Sequence, residues 1–273
     1  MSIHPDASVH PTAVVDPSAE IAAGVVLGPH AVIGAEVALG EGTTVGASAC
    51  VEGPTTIGRD NRIFAHACIG FDPQDLKFHG ERTALEVGDR NHFREFTTVH
   101  RGTAADAALT RIGSDNLFMA YKHIAHDCVV GDHTIFANAA TLAGHVRVDD
   151  HAVIGAHASV HQHCRVGVYA YTGGYTVLTR DALPYVKTVG AKPAVYGINR
   201  IGLARKGFTD DELEALARAY RILVRSRLNT GNALATLRDE LGDHPRVKPL
   251  IDFVESSTRG VVREQPRGGA RGG

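Results

Sequence analysis

Aliphatic residues recur every six positions along most of this chain. The series opens with Ile3, Val9, Val15, Ile21, Leu27 and Ile33 and runs unbroken to Ile69. It resumes at Val87, Phe93 and Val99, slips by one residue, and continues from Ile112 to Leu178 with Thr172 as its one polar member. Four places after each anchor the residue is usually small, as at Ala13, Ala31, Ala49, Ala67, Cys128, Ala140 and Ala158. A period of six is neither the 3.6 of an amphipathic helix nor the 2 of a half-buried strand. It fits short strands joined by regular turns. Each branched anchor points inward, and a small residue fits where the interior narrows. Coils of this kind stack about 4.8 Å apart through backbone hydrogen bonds and form a solenoid around a column of aliphatic side chains.

The repeat breaks at 71–86 and again at 102–111, where the register slips. Insertions into a solenoid emerge as loops on one face, often the binding face. The first break carries Asp75 and Lys77 beside a histidine-rich region. The hexads end near Leu183-Pro184, and a helical pattern follows. Thr209-Asp-Asp-Glu212 reads as a capping box opening a helix to about Ser226. A second helix is predicted over 230–241, ending at Gly242, and a third over about 246–258. The expected organisation is mainly β: a parallel β-helix domain over 1–184, a small α-helical domain over 185–258, and an unordered tail from 259 to 273.

Composition narrows the class. A hydrophobic fraction of 44% supplies a sizeable core, and a net charge of −2 argues against a nucleic-acid partner. No stretch approaches the roughly 18 apolar residues that would span a bilayer. Met1-Ser2-Ile3-His4-Pro5 lacks the basic-then-apolar pattern of a signal peptide. Cys50, Cys68, Cys128 and Cys164 have no C-x-x-C spacing, which predicts no metal site and a reduced, cytoplasmic setting. Charge is uneven: residues 185–273 hold 16 Lys+Arg against 10 Asp+Glu. Arg205, Lys206, Arg218, Arg221, Arg225 and Arg227 could meet an acidic partner, or simply form a solvated helical face.

Candidate chemistry concentrates in Met119-Ala-Tyr-Lys-His-Ile-Ala-His-Asp-Cys128. Five further histidines, His133, His145, His151, His157 and His163, fall at the fourth position of their hexads, a turn position open to water. His123 and His126 flank Ile124, which must point inward, so His126 lies on the outer side of the coil. One coil later, 18 residues on, stands Gly144. A glycine there leaves a hollow with a backbone N–H beside an imidazole. A base and an N–H donor are what acyl transfer to a hydroxyl requires. The residues alone also allow a surface histidine above a turn glycine.

The hexads resemble the left-handed parallel β-helix proteins of the hexapeptide-repeat superfamily, which are typically homotrimers with sites between subunits. A closer resemblance rests on Gln74-Asp-Leu-Lys77, Thr98-Val-His-Arg-Gly102, Gly113-Ser-Asp-Asn-Leu117, His123-Ile-Ala-His-Asp-Cys128, Ala139-Ala-Thr-Leu-Ala-Gly-His145, Val160-His-Gln162 and Arg205-Lys-Gly-Phe208. On these the chain is similar to the UDP-N-acetylglucosamine O-acyltransferase family, which opens lipid A biosynthesis. The resemblance implies transfer of a 3-hydroxyacyl chain from acyl carrier protein to the 3-hydroxyl of UDP-N-acetylglucosamine, with no cofactor and no stable membrane insertion. It implies His126 as general base, Asp127 as its orienting partner and the Gly144 N–H as oxyanion donor. Asp75, Lys77, His123 and His145 would bind sugar and phosphate. Gln162, Asn199 and Arg205 would contact the nucleotide or the donor, His100 and His161 match lesser positions, and Gly174 would set acyl-chain length.

Some residues depart from the family pattern. Ile201 stands where an acidic residue is common, Lys122 where a small one is, and His163 where an aromatic is. Tyr169, Tyr171 and Tyr175 are expected to crowd the acyl groove. Rival readings are a coenzyme A-dependent hexapeptide acetyltransferase, which would lack the Gln-Asp-Leu-Lys loop, and a trimeric β-helix zinc carbonic anhydrase ligated by His100, His123 and His126. A non-catalytic β-helix scaffold is the third.

Overall fold

In the computed structural model, which describes residues 2–265, the hexads wind into a parallel β-solenoid. Each anchor lies in a short strand, and the strands stack into three sheets of nine, eleven and nine. The first sheet runs from Ser2–Ile3 to Arg165–Val166, the second from Ser8–Val9 to Ala194–Ile198, and the third from Val14–Val15 to Val177–Leu178. Anchor faces anchor from coil to coil, as in Ile124↔Leu142 and Leu142↔Val160. Beyond the first coil these anchors and the small residues four places on are buried, and together they form one continuous core.

The third residue after an anchor turns the corner with a left-handed backbone. His133, His145, His151, His157 and His163 all have φ between 55° and 62°. Histidine tolerates this region better than branched residues do. The rings recover contact by stacking along the axis: His133 on His151 at 4.8 Å, His151 on Tyr169 at 4.5 Å and His145 on His163 at 4.4 Å.

The two insertions explain the register. Regular coils bring together residues 18 apart. Ile57 instead pairs with Val87, and the coil spans 30 residues. Val87 pairs with Ile112, across 25. The first excess is a whole number of hexads, so the register resumes unchanged. The second is one hexad and one residue, which is the slip.

The two ends differ. In the first coil Ile3, Val9 and Val15 are only half-buried, with no coil stacked beneath them among the described residues. At the other end Val186–Val189 continues the second sheet beside Tyr171–Thr172 and pairs antiparallel with Ala194–Ile198. Strands therefore extend past the expected boundary at 184. Antiparallel pairing carries no hexad, which is why the repeat does not mark them.

Four helices close this end: α1 Arg200–Arg205, α2 Asp210–Tyr220, α3 Thr230–Leu241 and α4 Lys248–Glu255. The capping box forms, with the Thr209 hydroxyl accepting from the Glu212 N–H and the Glu212 carboxylate accepting from the Thr209 N–H. A π-helical turn, Arg221–Arg225, prolongs α2 to the expected end. None of these helices is long and apolar enough to cross a membrane.

The segment expected to be unordered from 259 differs from that reading as far as it is described. Val261 and Val262 are buried, the Val262 N–H donates to the Asp181 carbonyl at 2.9 Å, and the Val195 N–H donates to the Glu264 carbonyl at 2.7 Å. Two adjacent valines give this stretch apolar area to bury. The rest of the expected tail, 266–273, lies outside the described residues.

Candidate active site

Three residues meet where the third sheet turns into the first. His126 stands outside the coil, and its Nδ1 lies 2.8 Å from the Asp127 carboxylate. Asp127 is buried at the left-handed corner, with φ of 58°. Its carboxylate also accepts the Thr103 N–H, at 2.9 Å to Oδ1 and 3.1 Å to Oδ2, and the Thr103 hydroxyl at 2.7 Å. The Asp127 N–H in turn lies 2.8 Å from Thr110 Oγ1. With Nδ1 committed to the carboxylate as a donor, the His126 Nε2 lone pair is left facing outward, as a proton acceptor requires.

Gly144 occupies the next coil. A β-carbon built on it would lie 2.5 Å from His126 Cε1 and 2.7 Å from Nε2. The expected hollow is taken up by the His126 ring itself, which packs directly over the Gly144 backbone, and only glycine admits it there. Among the described residues the Gly144 N–H has no acceptor, although its carbonyl accepts from the His163 N–H. A free N–H beside Nε2 can receive charge developing on a carbonyl oxygen.

His145 packs edge-on to His126 with ring centroids 5.1 Å apart. Its Nδ1 lies 2.9 Å from Asp106 Oδ2, and its Nε2 lies 3.9 Å from Asp127 Oδ2. His123 presents Nδ1 to Thr98 Oγ1 at 2.8 Å and meets His100 edge-on at 5.0 Å. Burial and then the neighbouring His123 push His100 down to about 4, and burial also lowers His123. His100 is therefore a neutral ring at physiological pH. It lines an open cavity of about 480 Å³ together with Gln74, Thr98 and Arg101.

Within one chain the three histidines of the zinc reading, which places them across a subunit interface, do not converge. Among the described residues, the His/Cys/Asp/Glu group whose ligand atoms approach within 4.8 Å of one another is His126, Asp127 and His145, not His100, His123 and His126. Within it, Asp127 already accepts from Thr103 and His126.

Comparison with known proteins gives the family. Residues 109–144 match the family described as bacterial transferase hexapeptide (six repeats), and residues 181–262 match the second domain of Udp N-acetylglucosamine O-acyltransferase. The acyl-[acyl-carrier-protein]–UDP-N-acetylglucosamine O-acyltransferase of Thiobacillus denitrificans is 49% identical over 257 residues, covering 94% of this chain and all of the relative. The chain belongs to the UDP-N-acetylglucosamine O-acyltransferase family. Among solved structures, the Francisella novicida UDP-N-acetylglucosamine acyltransferase superimposes with a TM-score of 0.92 at 36% identity, covering 94% of each chain. LpxA from Acinetobacter baumannii gives 0.91 at 43% identity, covering 93% of this chain and 99% of that one.

The remaining residues expected of a UDP-N-acetylglucosamine O-acyltransferase lie at varying distances from the dyad. Asp75 and Lys77 sit on the first insertion, where the Lys77 N–H donates to the Asp75 carboxylate at 3.0 Å. Buried Arg101 anchors the root of that loop through the Gly70 carbonyl and Asp72. Gln162 is exposed at the same corner as His145, one coil on, and His161 beside it is also exposed. Asn199 precedes α1 and Arg205 ends it, beyond the second sheet, and among the described residues neither makes a hydrogen bond to residues 123–145. Gly174 is exposed, and a β-carbon there would meet only the Ala156 carbonyl, at 3.2 Å. Of the three tyrosines expected to crowd it, only Tyr175 shares its corner, stacked on His157. Tyr169 stacks on His151 at another corner, and Tyr171 lies on the second sheet beside Lys187.

Sequence reasoning assigned no role to Thr98, Thr103 or Asp106, which hold His123, Asp127 and His145 respectively. Lys122 is a different surprise. It takes a small-residue position and is buried in the interior, with no partner for Nζ among the described residues. Thr97, the facing position one coil back, likewise has an unpartnered hydroxyl.

Proposed function

We propose that this UDP-N-acetylglucosamine O-acyltransferase moves a 3-hydroxyacyl chain from acyl carrier protein to the 3-hydroxyl of UDP-N-acetylglucosamine, the first step of lipid A biosynthesis. The observation that carries the reading is the His126–Asp127 contact beside the unpaired Gly144 N–H. His126 Nε2 takes the proton of the sugar hydroxyl as its oxygen attacks the thioester carbonyl. The resulting oxyanion accepts the Gly144 N–H. As the C–S bond breaks, the carrier's sulfur leaves with the proton held by His126, and the base is regenerated. Asp127 fixes the tautomer throughout.

Sugar and phosphate are bound by Asp75, Lys77, His123 and His145, and the nucleotide or donor by Gln162, Asn199 and Arg205. The last two stand at the two ends of α1, with no hydrogen bond to the coils of the dyad, which supports a homotrimer in which a neighbouring subunit completes the site. The enzyme works in the cytoplasm. The test is incubation of the purified protein with UDP-N-acetylglucosamine and a panel of 3-hydroxyacyl carrier proteins, with products read by mass spectrometry. Expected is one ester-linked hydroxyacyl group on the sugar nucleotide. Acetyl transfer from acetyl-coenzyme A with no turnover of carrier-bound donors would overturn the reading.

A further inference from the structure

The second insertion contributes more to the site than its length suggests. The Thr103 carbonyl accepts the N–H groups of Asp106 at 3.3 Å and Ala108 at 3.1 Å, which folds the loop into a compact turn. A β-carbon on Gly102 would lie 2.1 Å from the Leu109 nitrogen, so the loop closes tightly on the coil. This turn fastens Thr103 to Asp127 and sets the Asp106 carboxylate over the His145 ring.

His145 is otherwise held only by contacts that do not tell its two nitrogens apart. Its face stacks on His163 at 4.4 Å with an interplanar angle of 13°, and its edge meets His126. Both contacts survive a half-turn of the imidazole about its Cβ–Cγ bond. Hydrogen bonding is what distinguishes Nδ1 from Nε2. The carboxylate within hydrogen-bond reach of either nitrogen is Asp106, at 2.9 Å, since Asp127 lies 3.9 Å away.

We propose that Asp106 is a positioning residue for His145. Its carboxylate accepts the Nδ1 proton, blocks the ring flip, and keeps Nε2 turned towards Asp127, beside the His126 ring. There Nε2 meets an oxygen of the bound sugar nucleotide. The inference rests on the function proposed above for the choice of ligand, but not for the orientation of the ring. Asp106 is half-exposed, so its removal leaves the core intact.

Two measurements separate these points. Nitrogen NMR of the His145 ring in the free enzyme should show one orientation and tautomer in the wild type, a mixture in Asp106→Ala, and the wild-type pattern restored in Asp106→Glu. Kinetically, Asp106→Ala should raise KM for UDP-N-acetylglucosamine about tenfold, with kcat within about twofold and an unchanged melting temperature, because orientation of a binding group is lost and the base is not. In the His145→Ala background the same change should have no further effect, since a residue acting through another contributes nothing once that other is gone. An unaltered ring spectrum in Asp106→Ala, or effects of the two substitutions that simply add, would overturn the proposal. If the wild type acylates no sugar nucleotide, the functional reading falls, and the ring spectra alone decide the positioning.

Discussion

The space a β-carbon on Gly144 would need is already filled by the His126 imidazole, 2.5 Å away at Cε1. Gly144→Ala must therefore push the ring aside or tilt the coil that carries the N–H. The expected outcome is a loss of kcat of at least about 100-fold, the scale of losing one oxyanion donor. Gly231 in the first turn of α3 is the control, because a β-carbon there meets nothing closer than 3.6 Å. Gly231→Ala should turn over as the wild type does.

His126→Ala should lower kcat by about 10²–10⁴-fold, the usual contribution of a general base, while circular dichroism and melting temperature stay unchanged. The ring lies outside the core column and is not part of the buried cluster. Retention of more than about a tenth of wild-type kcat would show that another group takes the proton.

Lys122→Ala should raise stability. Burial holds the amine down to about 7, against an ordinary 10.5. Between those values the unfolded chain binds more protons than the folded one, so this group's contribution rises with pH across that window, and its penalty is complete below it. At pH 7 the substitution should raise the melting temperature by roughly 4 °C, about 1–2 kcal/mol for a chain of this size. The gain should shrink steadily as pH climbs towards 10. A gain independent of pH would mean that packing, and not the buried amine, is the cause.

Binding of the acidic carrier protein is expected on the helical end. Arg218 already pairs with Glu240, and Arg225 lies over the Tyr220 ring. Among the described residues Arg205, Lys206, Arg221 and Arg227 have no carboxylate partner. Pairing at such a rim is screened by salt. KM for the carrier should rise with ionic strength while KM for the sugar nucleotide changes less. Equal dependence of both would remove this surface from the interaction.

Gly174→Met should shift preference towards shorter donors. The one neighbour a β-carbon there would meet is the Ala156 carbonyl, at 3.2 Å, so a small shift of that backbone accommodates the side chain. Each methylene buried along a groove gains about 0.8 kcal/mol, so two are worth some tenfold in kcat/KM. An unchanged ranking of donors would make Tyr175, stacked on His157 next door, the next candidate for the ruler.

The hexad register was legible because stacking forces the anchors to repeat, and even the slip between Val99 and Ile112 followed from an insertion that is not a whole number of hexads. His126 and Gly144 were legible for the same reason, since a coil of 18 residues brings them together. Thr103 and Asp106 were not, because residues in an insertion obey no period. Strands Val186–Val189 and Ala194–Ile198 escaped because their antiparallel pairing abandons the coil. Val261 and Val262 are two apolar residues in a polar stretch, too few to signal a docking segment.

The unequal ends of the solenoid give its stability a direction. Each coil is held mainly by its neighbours, so opening costs least where one neighbour is missing. The coil of Ile3, Val9 and Val15 has a single neighbour, whereas the last coil lies under two further strands and the helices. Amide exchange should therefore be fastest in the first coil and slow progressively along the axis, with the dyad's coil shielded by the five coils that precede it on one side and by further coils and the helices on the other. Thermal damage would unravel the molecule from its first coil and reach the chemistry only after five coils have opened.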